Sequence, residues 1–224
     1  FEFKGHNFTL VDTPGLRRKN KIYDINEEKR NKEVTKLINC VDFVILLIDS
    51  IENITKQDFK LADLVLNRRK NTFLVFNKID LLDDALKFKK HTQLYLENNY
   101  SKHLMINLDF ISAKNDTKIS GVLNTILKNS KLIKSEIPKA KLKKFLKHLD
   151  KKSKYPKVKN IEIRPKYLVQ VRNTVPCFKV FINSKNKAPQ IFCRFFENAF
   201  RNYFKFKGVP ITFEFVSSNN PYLG

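Results

Sequence analysis

Three short polar clusters in this 224-residue chain each follow an apolar run: Asp12-Thr13-Pro14-Gly15-Leu16, Asn77-Lys78-Ile79-Asp80 and Ser112-Ala113-Lys114. A carboxylate at a strand end followed by Pro-Gly suits a phosphate and metal site. Asp12 would hold a magnesium ion through water, and the Gly15 amide would face a terminal phosphate. Pro-Gly is equally an ordinary turn. In the second cluster a single carboxylate, Asp80, can accept from both N1–H and N2–H of guanine, an edge that adenine lacks. Asn77 can brace the loop and reach N7, the Lys78 stem can lie over the base plane, and the Ala113 amide can donate to O6. A hydrogen-bonding site of this kind rejects analogues because its own polar groups would be left unpaired. Asn and Asp are common turn formers, so the second cluster alone says little. The order of the three, each after a strand, carries the reading.

The elements that position these clusters alternate between strand and helix. Phe1–Lys4 and Phe8–Asp12 read as a hairpin about Gly5-His6-Asn7, and Glu27–Asn39 has helical spacing. Phe43–Asp49 and Thr72–Asn77 are unbroken apolar runs of the buried-strand type. Thr55-x-x-Asp58 is a capping box opening a helix whose apolar positions are Phe59, Leu61, Leu64 and Val65. A helix over Asp83–Glu97, a strand over Leu104–Ile111 and a helix over Lys118–Asn129 complete the pattern. It predicts an α/β fold, a mainly parallel sheet covered on both faces, with ligands at the carboxyl ends of its strands. Past Lys134 the pattern changes to a basic amphipathic helix with Pro138 near its first turn. Strands follow near Asn160–Arg164, Lys166–Arg172 and Cys177–Asn183, then a helix over Pro189–Phe204 and a last strand, Ile211–Val216. The expected division is a first domain over 1–134 and a compact, basic α+β domain over 135–224.

Charge separates the two parts further. The chain carries 44 Lys or Arg against 22 Asp or Glu, and from Ile137 onward there are 20 against 4, a net +16. A Lys-rich composition does not by itself strip a region of acids, so the second domain reads as polyanion-binding. Cys40, Cys177 and Cys193 are odd in number and widely spaced, which fits buried thiols in a reduced, cytoplasmic setting. No apolar run is long enough to span a membrane. His6, His91, His103 and His148 lie away from the three clusters and show no metal spacing. Phe192, Phe195, Phe196, Phe200 and Phe204 have helical spacing, which favours burial over base stacking, and Lys87, Lys89 and Lys90 read as a solvated face. No Ser/His/Asp or Cys/His arrangement points to covalent catalysis.

With these motifs in order, the sequence resembles the C-terminal half of the Der/EngA GTPases, bacterial proteins with two tandem G domains followed by a domain similar to the KH fold. The stretch from Asp12 to Lys21 and the closing run from Phe195 to Tyr222 are its more specific features. The resemblance implies a partial Ras-like P-loop GTPase domain followed by a small KH-like domain. Asp12, Thr13, Pro14, Gly15 and Leu16 would form the switch II phosphate loop, with Asp12 on Mg2+. Asn77, Lys78 and Asp80 would read guanine, and Ser112, Ala113 and Lys114 would complete the base pocket. The implied ligands are GTP and GDP, and the implied partners are the large ribosomal subunit and its ribosomal RNA, with the protein monomeric and cytoplasmic. Ras-like enzymes place a water-orienting Gln where Leu16 stands. The resemblance therefore implies hydrolysis assisted by another group, a potassium ion or a partner.

Two family features are absent from these residues. The five glycines provide no G-x-x-x-x-G-K-[ST] phosphate loop, so the sequence reads as a piece of a longer protein that binds nucleotide poorly by itself. A sheet without its usual first, central strand would leave core surface uncovered. No two glycines are three apart, so the GXXG clamp of a true KH domain is missing too. RNA contact would then rest on Lys and Arg at the rim, or the domain would serve as a switch-reading partner for the G domain. Two alternatives stand beside the leading reading: an RNA-binding module on a nucleotide-independent G-like scaffold, and an Era-like GTPase.

Overall fold

The computed structural model describes residues 1–12, 27–52, 54–152, 154–158, 161–171 and 175–217. Thr13, Pro14, Gly15 and Leu16 lie outside the described residues. The chain opens with a small hairpin, β1 (Glu2–Phe3) and β2 (His6–Asn7), closed through Lys4 and Gly5, both at positive φ. Its strands are far shorter than the expected ones. Phe8 still bonds Phe1 in both directions, but beyond it Leu10 is 75% exposed and Val11 46% exposed. The apolar character of 8–12 predicts a strand; among the described residues no neighbouring strand receives it.

Next come α1 (Glu27–Cys40), β3 (Phe43–Asp49), α2 (Lys56–Asn67), β4 (Asn71–Asn77), α3 (Ala85–Asn99), β5 (Ile106–Phe110) and α4 (Ile119–Lys134). The three strands form an all-parallel sheet in the order β3-β4-β5, with Asp49 opposite Asn77 at its carboxyl end. β4 is central, and its unbroken apolar run is buried because both faces are covered. On one face Leu74 and Phe76 pack with Ala62 of α2 and Leu96 of α3. On the other, Phe73 and Val75 pack with Val122 and Ile126 of α4 and with Phe8. The capping box forms as expected: the Asp58 amide donates to Thr55 Oγ1, and the Thr55 amide donates to Asp58 Oδ2 at 2.8 Å. Beside β3, whose outer edge has no strand partner among the described residues, Leu47 is 52% exposed.

The remainder comprises α5 (Lys139–Lys152), β6 (Lys157–Val158), β7 (Ile161–Glu162), β8 (Pro165–Val171), β9 (Cys177–Ile182), α6 (Gln190–Phe204) and β10 (Thr212–Val216). Its sheet has the order β10-β9-β8, with β10 parallel and β8 antiparallel to β9. Both helices cover one face: Leu142, Phe145 and Leu149 of α5 meet Phe192, Phe196 and Phe200 of α6 over Phe178 and Val180. The phenylalanine stripe of α6 is thus core, as its spacing predicts. The β6–β7 ribbon is too short to leave a periodic signal in sequence.

A buried amide network joins this second unit to the first. Asn107 Nδ2 donates to Asn71 Oδ1 at 3.0 Å and to the Gly208 carbonyl at 3.1 Å, while Asn129 Nδ2 donates to Asn107 Oδ1 at 3.0 Å. The Gly208 amide donates to the Leu104 carbonyl at 2.9 Å. Gly208 has φ +70°, and a Cβ there would overlap the Asn107 amide, so this approach requires glycine. The contact sits at the amino ends of β4 and β5. The carboxyl end, where the polar clusters lie, is about 20 Å away along a seven-residue strand.

Candidate guanine-nucleotide site

At the carboxyl end of the parallel sheet the three strand termini are laced together. The Ser50 amide donates to the Asn77 carbonyl at 2.9 Å, the Ile111 amide to Phe76 at 2.8 Å, and the Ile79 amide to Ile111 at 3.2 Å. Asn77 Oδ1 then accepts from the Ala113 amide at 2.9 Å. This is the loop brace expected of Asn77, and the amide it engages is that of Ala113, the expected donor to O6.

The loop after β5 is itself closed. Ser112 is 1% exposed and pairs with Thr117 through both backbone bonds, and its Oγ accepts from the Asn115 amide at 3.2 Å. Asp116 and Lys118 take positive φ to make the turn, after which α4 begins. Lys114 is exposed on this loop.

Lys78 has φ 67° and ψ 33°, a left-handed conformation that costs a non-glycine residue of order 1 kcal/mol. The turn brings its ammonium 2.6 Å from Asp49 Oδ2. That pair raises the Lys78 pKa above the usual lysine value, through the hydrogen bond first and the charge second. Asp49 also accepts the Ile51 amide at 3.0 Å. In sequence Asp49 reads only as the last residue of a strand. A signal is nonetheless present there, since it is an acid ending an apolar run, as Asp12 is. Asp80 is exposed on the short 3-10 turn Ile79–Leu81, and among the described residues no hydrogen bond or salt bridge engages its carboxylate.

The structure therefore brings Asn77, Lys78, Asp80, Ser112, Ala113 and Lys114 to one end of the sheet on two adjoining loops. Asp12 is exposed at the end of the segment that runs on from Phe8 without a strand partner among the described residues, and no described contact ties it to those loops. Among the described residues no group of three or more His, Cys, Asp or Glu could hold a metal by itself. A lone carboxylate still fits magnesium, which takes one or two protein oxygens and completes its shell with water and substrate phosphates.

A parallel α/β unit with paired loops of this type, followed by an α+β unit of order α-β-β-α-β with an added β-ribbon, defines the class: a Ras-like GTPase-type domain with a KH-like domain. The family described as 50S ribosome-binding GTPase matches residues 1–78, and the KH-domain-like family of EngA bacterial GTPase enzymes, C-terminal, matches residues 136–215. GTPase Der of Rickettsia prowazekii (strain Madrid E) is 31% identical over 226 residues, covering all of this chain and 51% of that protein. GTPase Der of Rickettsia rickettsii (strain Sheila Smith) is 32% identical over 228 residues with the same coverage. The chain belongs to the Der/EngA family and spans about half the length of these relatives. A crystal structure of Era in complex with MgGDPNP and nucleotides 1506-1542 of 16S ribosomal RNA is 17% identical, covering 92% of this chain and 74% of that one, at a TM-score of 0.43. A likeness that weak carries no argument about the site.

Proposed function

We propose that this chain carries the guanine-reading half of a GTP-hydrolysing factor that acts in assembly of the large ribosomal subunit, together with the domain that touches ribosomal RNA. The observation that supports it is the Asn77–Ala113 bond, which presents Asp80 uncommitted beside a closed Ser112–Lys118 loop. Asp80 accepts N1–H and N2–H of guanine, and the Lys78 stem, anchored at its tip by Asp49, lies along the base. With the Ala113 amide engaged, the Lys114 amide becomes the donor to O6. Thr13, Pro14, Gly15 and Leu16 follow Asp12 as the loop facing the terminal phosphate. Bound magnesium would neutralise phosphate charge, and Asp12 is the residue that would hold it. Leu16 cannot orient water, so a potassium ion or a partner assists hydrolysis.

The units divide at 134/135, and the net +16 from Ile137 onward gives the second a polyanionic partner. The protein is monomeric and cytoplasmic in this reading; among the described residues no helix is long and apolar enough to cross a membrane. Family matches to a 50S ribosome-binding GTPase and to Der support the reading.

The test is nucleotide competition in a form of the protein that includes a phosphate-binding loop, which these 224 residues do not contain. Asp80→Asn replaces an acceptor with a donor and should shift preference from GTP to xanthosine triphosphate, whose C2 carries an oxygen. Full retention of GTP preference would overturn the guanine pocket.

A further inference from the structure

We propose that an aromatic pair on the helical face of the second unit, Tyr203 with His148, is a stacking platform for an unpaired base of single-stranded RNA. Phosphates on either side of that base would lie on lysines of α5 and of the α6 terminus. The proposal rests on the RNA-contact reading above and says where and how the contact is made.

Among the described residues of the basic region, aromatic rings exposed enough to meet a base are few, because the phenylalanines of α6 pack inward: Phe192, Phe196 and Phe200 are 0% exposed, and Phe195 and Phe204 are partly buried against the same core. Tyr203 is different. The residue is 38% exposed, and its ring packs against Phe145 at 5.2 Å, His148 at 5.0 Å, tilted 57° to the latter, and Phe204 at 4.9 Å. Three aromatic neighbours hold the ring in place while the residue keeps more than a third of its surface open to solvent. A ligand would therefore order nothing but itself, which lowers the cost of binding.

The charge around the ring has one sign. α5 contains seven lysines, all exposed, and one acid. That acid, Asp150, accepts the Tyr155 hydroxyl at 2.8 Å. Lys144 and Lys151 stand four residues before and three residues after His148, so they share its side of the helix. Lys205 and Lys207, both exposed, follow Tyr203 where α6 ends. A base-sized aromatic surface between two sets of ammonium groups matches how proteins hold single strands: rings stack the bases while cations track the backbone.

Among the described residues, the other well-exposed aromatic of this unit lacks that setting. Tyr167 is 51% exposed on the opposite, open face of the sheet, beside Phe181, in a sheet where Lys179 is paired with Glu214. It is the internal control. An anionic membrane surface would satisfy the lysines but offers no planar base to stack on the ring.

The test measures binding of the full chain to a fluorescent oligoadenylate, to a duplex RNA and to phosphatidylserine vesicles. Tyr203→Leu keeps an apolar side chain against Phe145 and removes the ring; Tyr203→Phe and Tyr203→Trp restore one. The expected result is a drop of about five- to a hundredfold in affinity for oligoadenylate in Tyr203→Leu. Duplex RNA should be barely affected, the salt dependence should be unchanged since the ring neutralises no phosphate, and the two aromatic variants should bind as wild type. Tyr167→Leu should bind normally. Equal drops on single and double strands, no drop on either, or an equal drop in Tyr167→Leu overturns the platform while leaving RNA contact standing. Wild-type binding to vesicles but to neither RNA overturns the RNA-contact reading and the platform with it.

Discussion

Asn77 Oδ1 accepts the Ala113 amide at 2.9 Å, so a side chain at the end of one strand fixes the backbone of the loop after the next. Because β4 and β5 pair in register up to Phe76 opposite Phe110, this bond lies just beyond the ladder. It turns two separate loops into one surface. Removing the acceptor with Asn77→Ala should free the Ala113 amide and speed its hydrogen exchange by about fivefold, the equivalent of one net hydrogen bond of ~1 kcal/mol. Asn77→Asp keeps an acceptor oxygen and should keep much of the protection. Hydrogen exchange of the 112–117 segment checks both. Equal loss of protection in the two variants would show that packing rather than the bond holds the loop.

Most of this site is legible in sequence because buried parallel strands leave continuous apolar runs, and the residue types at their ends stand out against them. Thr72–Asn77 is readable for that reason, with Asn77, Lys78 and Asp80 at its end, whereas Phe43–Asp49 shows the same apolar run although only its Ile48 is buried. Asp49 is not readable, because its partner, Lys78, is near only after the sheet forms and Lys78 turns left-handed. The engagement of the Ala113 amide depends on loop geometry that no spacing encodes. Leu10 and Val11 mislead in the other direction: alternation and apolar content say that a residue can sit in a strand, not that a neighbour is there to receive it. Tyr203 is hidden in sequence since it lies inside a run of aromatics, and only burial separates the one outward ring from the inward ones.

Gly208 offers a stability test of the join between the units. Gly208→Ala forces a Cβ into the Asn107 amide at a φ of +70°. Overpacking and the left-handed strain together predict a loss of about 2–4 kcal/mol. Asn107→Ala is expected to destabilise as well, by leaving Asn71 and Asn129 without a shared partner, and the double variant should be better than the sum of the two. Denaturant titration of the four proteins gives the coupling. Strict additivity would mean that the approach relaxes by backbone movement instead.

Lysines of α5 other than Lys144 and Lys151 test the electrostatic share of RNA contact. Reversing Lys141, Lys143 and Lys147 to Glu should weaken binding to every RNA alike. It should also flatten the dependence of log affinity on log salt by about 0.7–0.9 for each phosphate no longer neutralised. Guanine-nucleotide affinity should stay nearly intact in a form carrying a phosphate loop, because the candidate site is at the far end of the other sheet. Fluorescence anisotropy at several salt concentrations is the measurement. An unchanged slope would mark this face as solvated surface.

Asp109 gives the pH test of the first unit. It lies half-buried on β5 opposite Val75, and burial pushes its carboxyl above the usual aspartate value. The direction of the effect follows from linkage. A folded-state pKa raised above the unfolded one means that the folded form is favoured by protonation; that contribution is fully present below the unfolded value near 4 and is lost as pH rises through the folded value. At neutral pH the ionised group therefore opposes folding. Asp109→Asn, similar in shape and without charge, should raise the melting temperature at pH 7. The gain should shrink as pH falls and nearly vanish below about pH 4, where wild type is protonated too. Melting curves of both proteins between about pH 3.5 and 7.5 supply the comparison, a span that brackets the ordinary aspartate value. A gain independent of pH would trace to packing or to a hydrogen bond made by the new amide, and a loss at pH 7 would mean that a neighbouring positive charge stabilises the carboxylate.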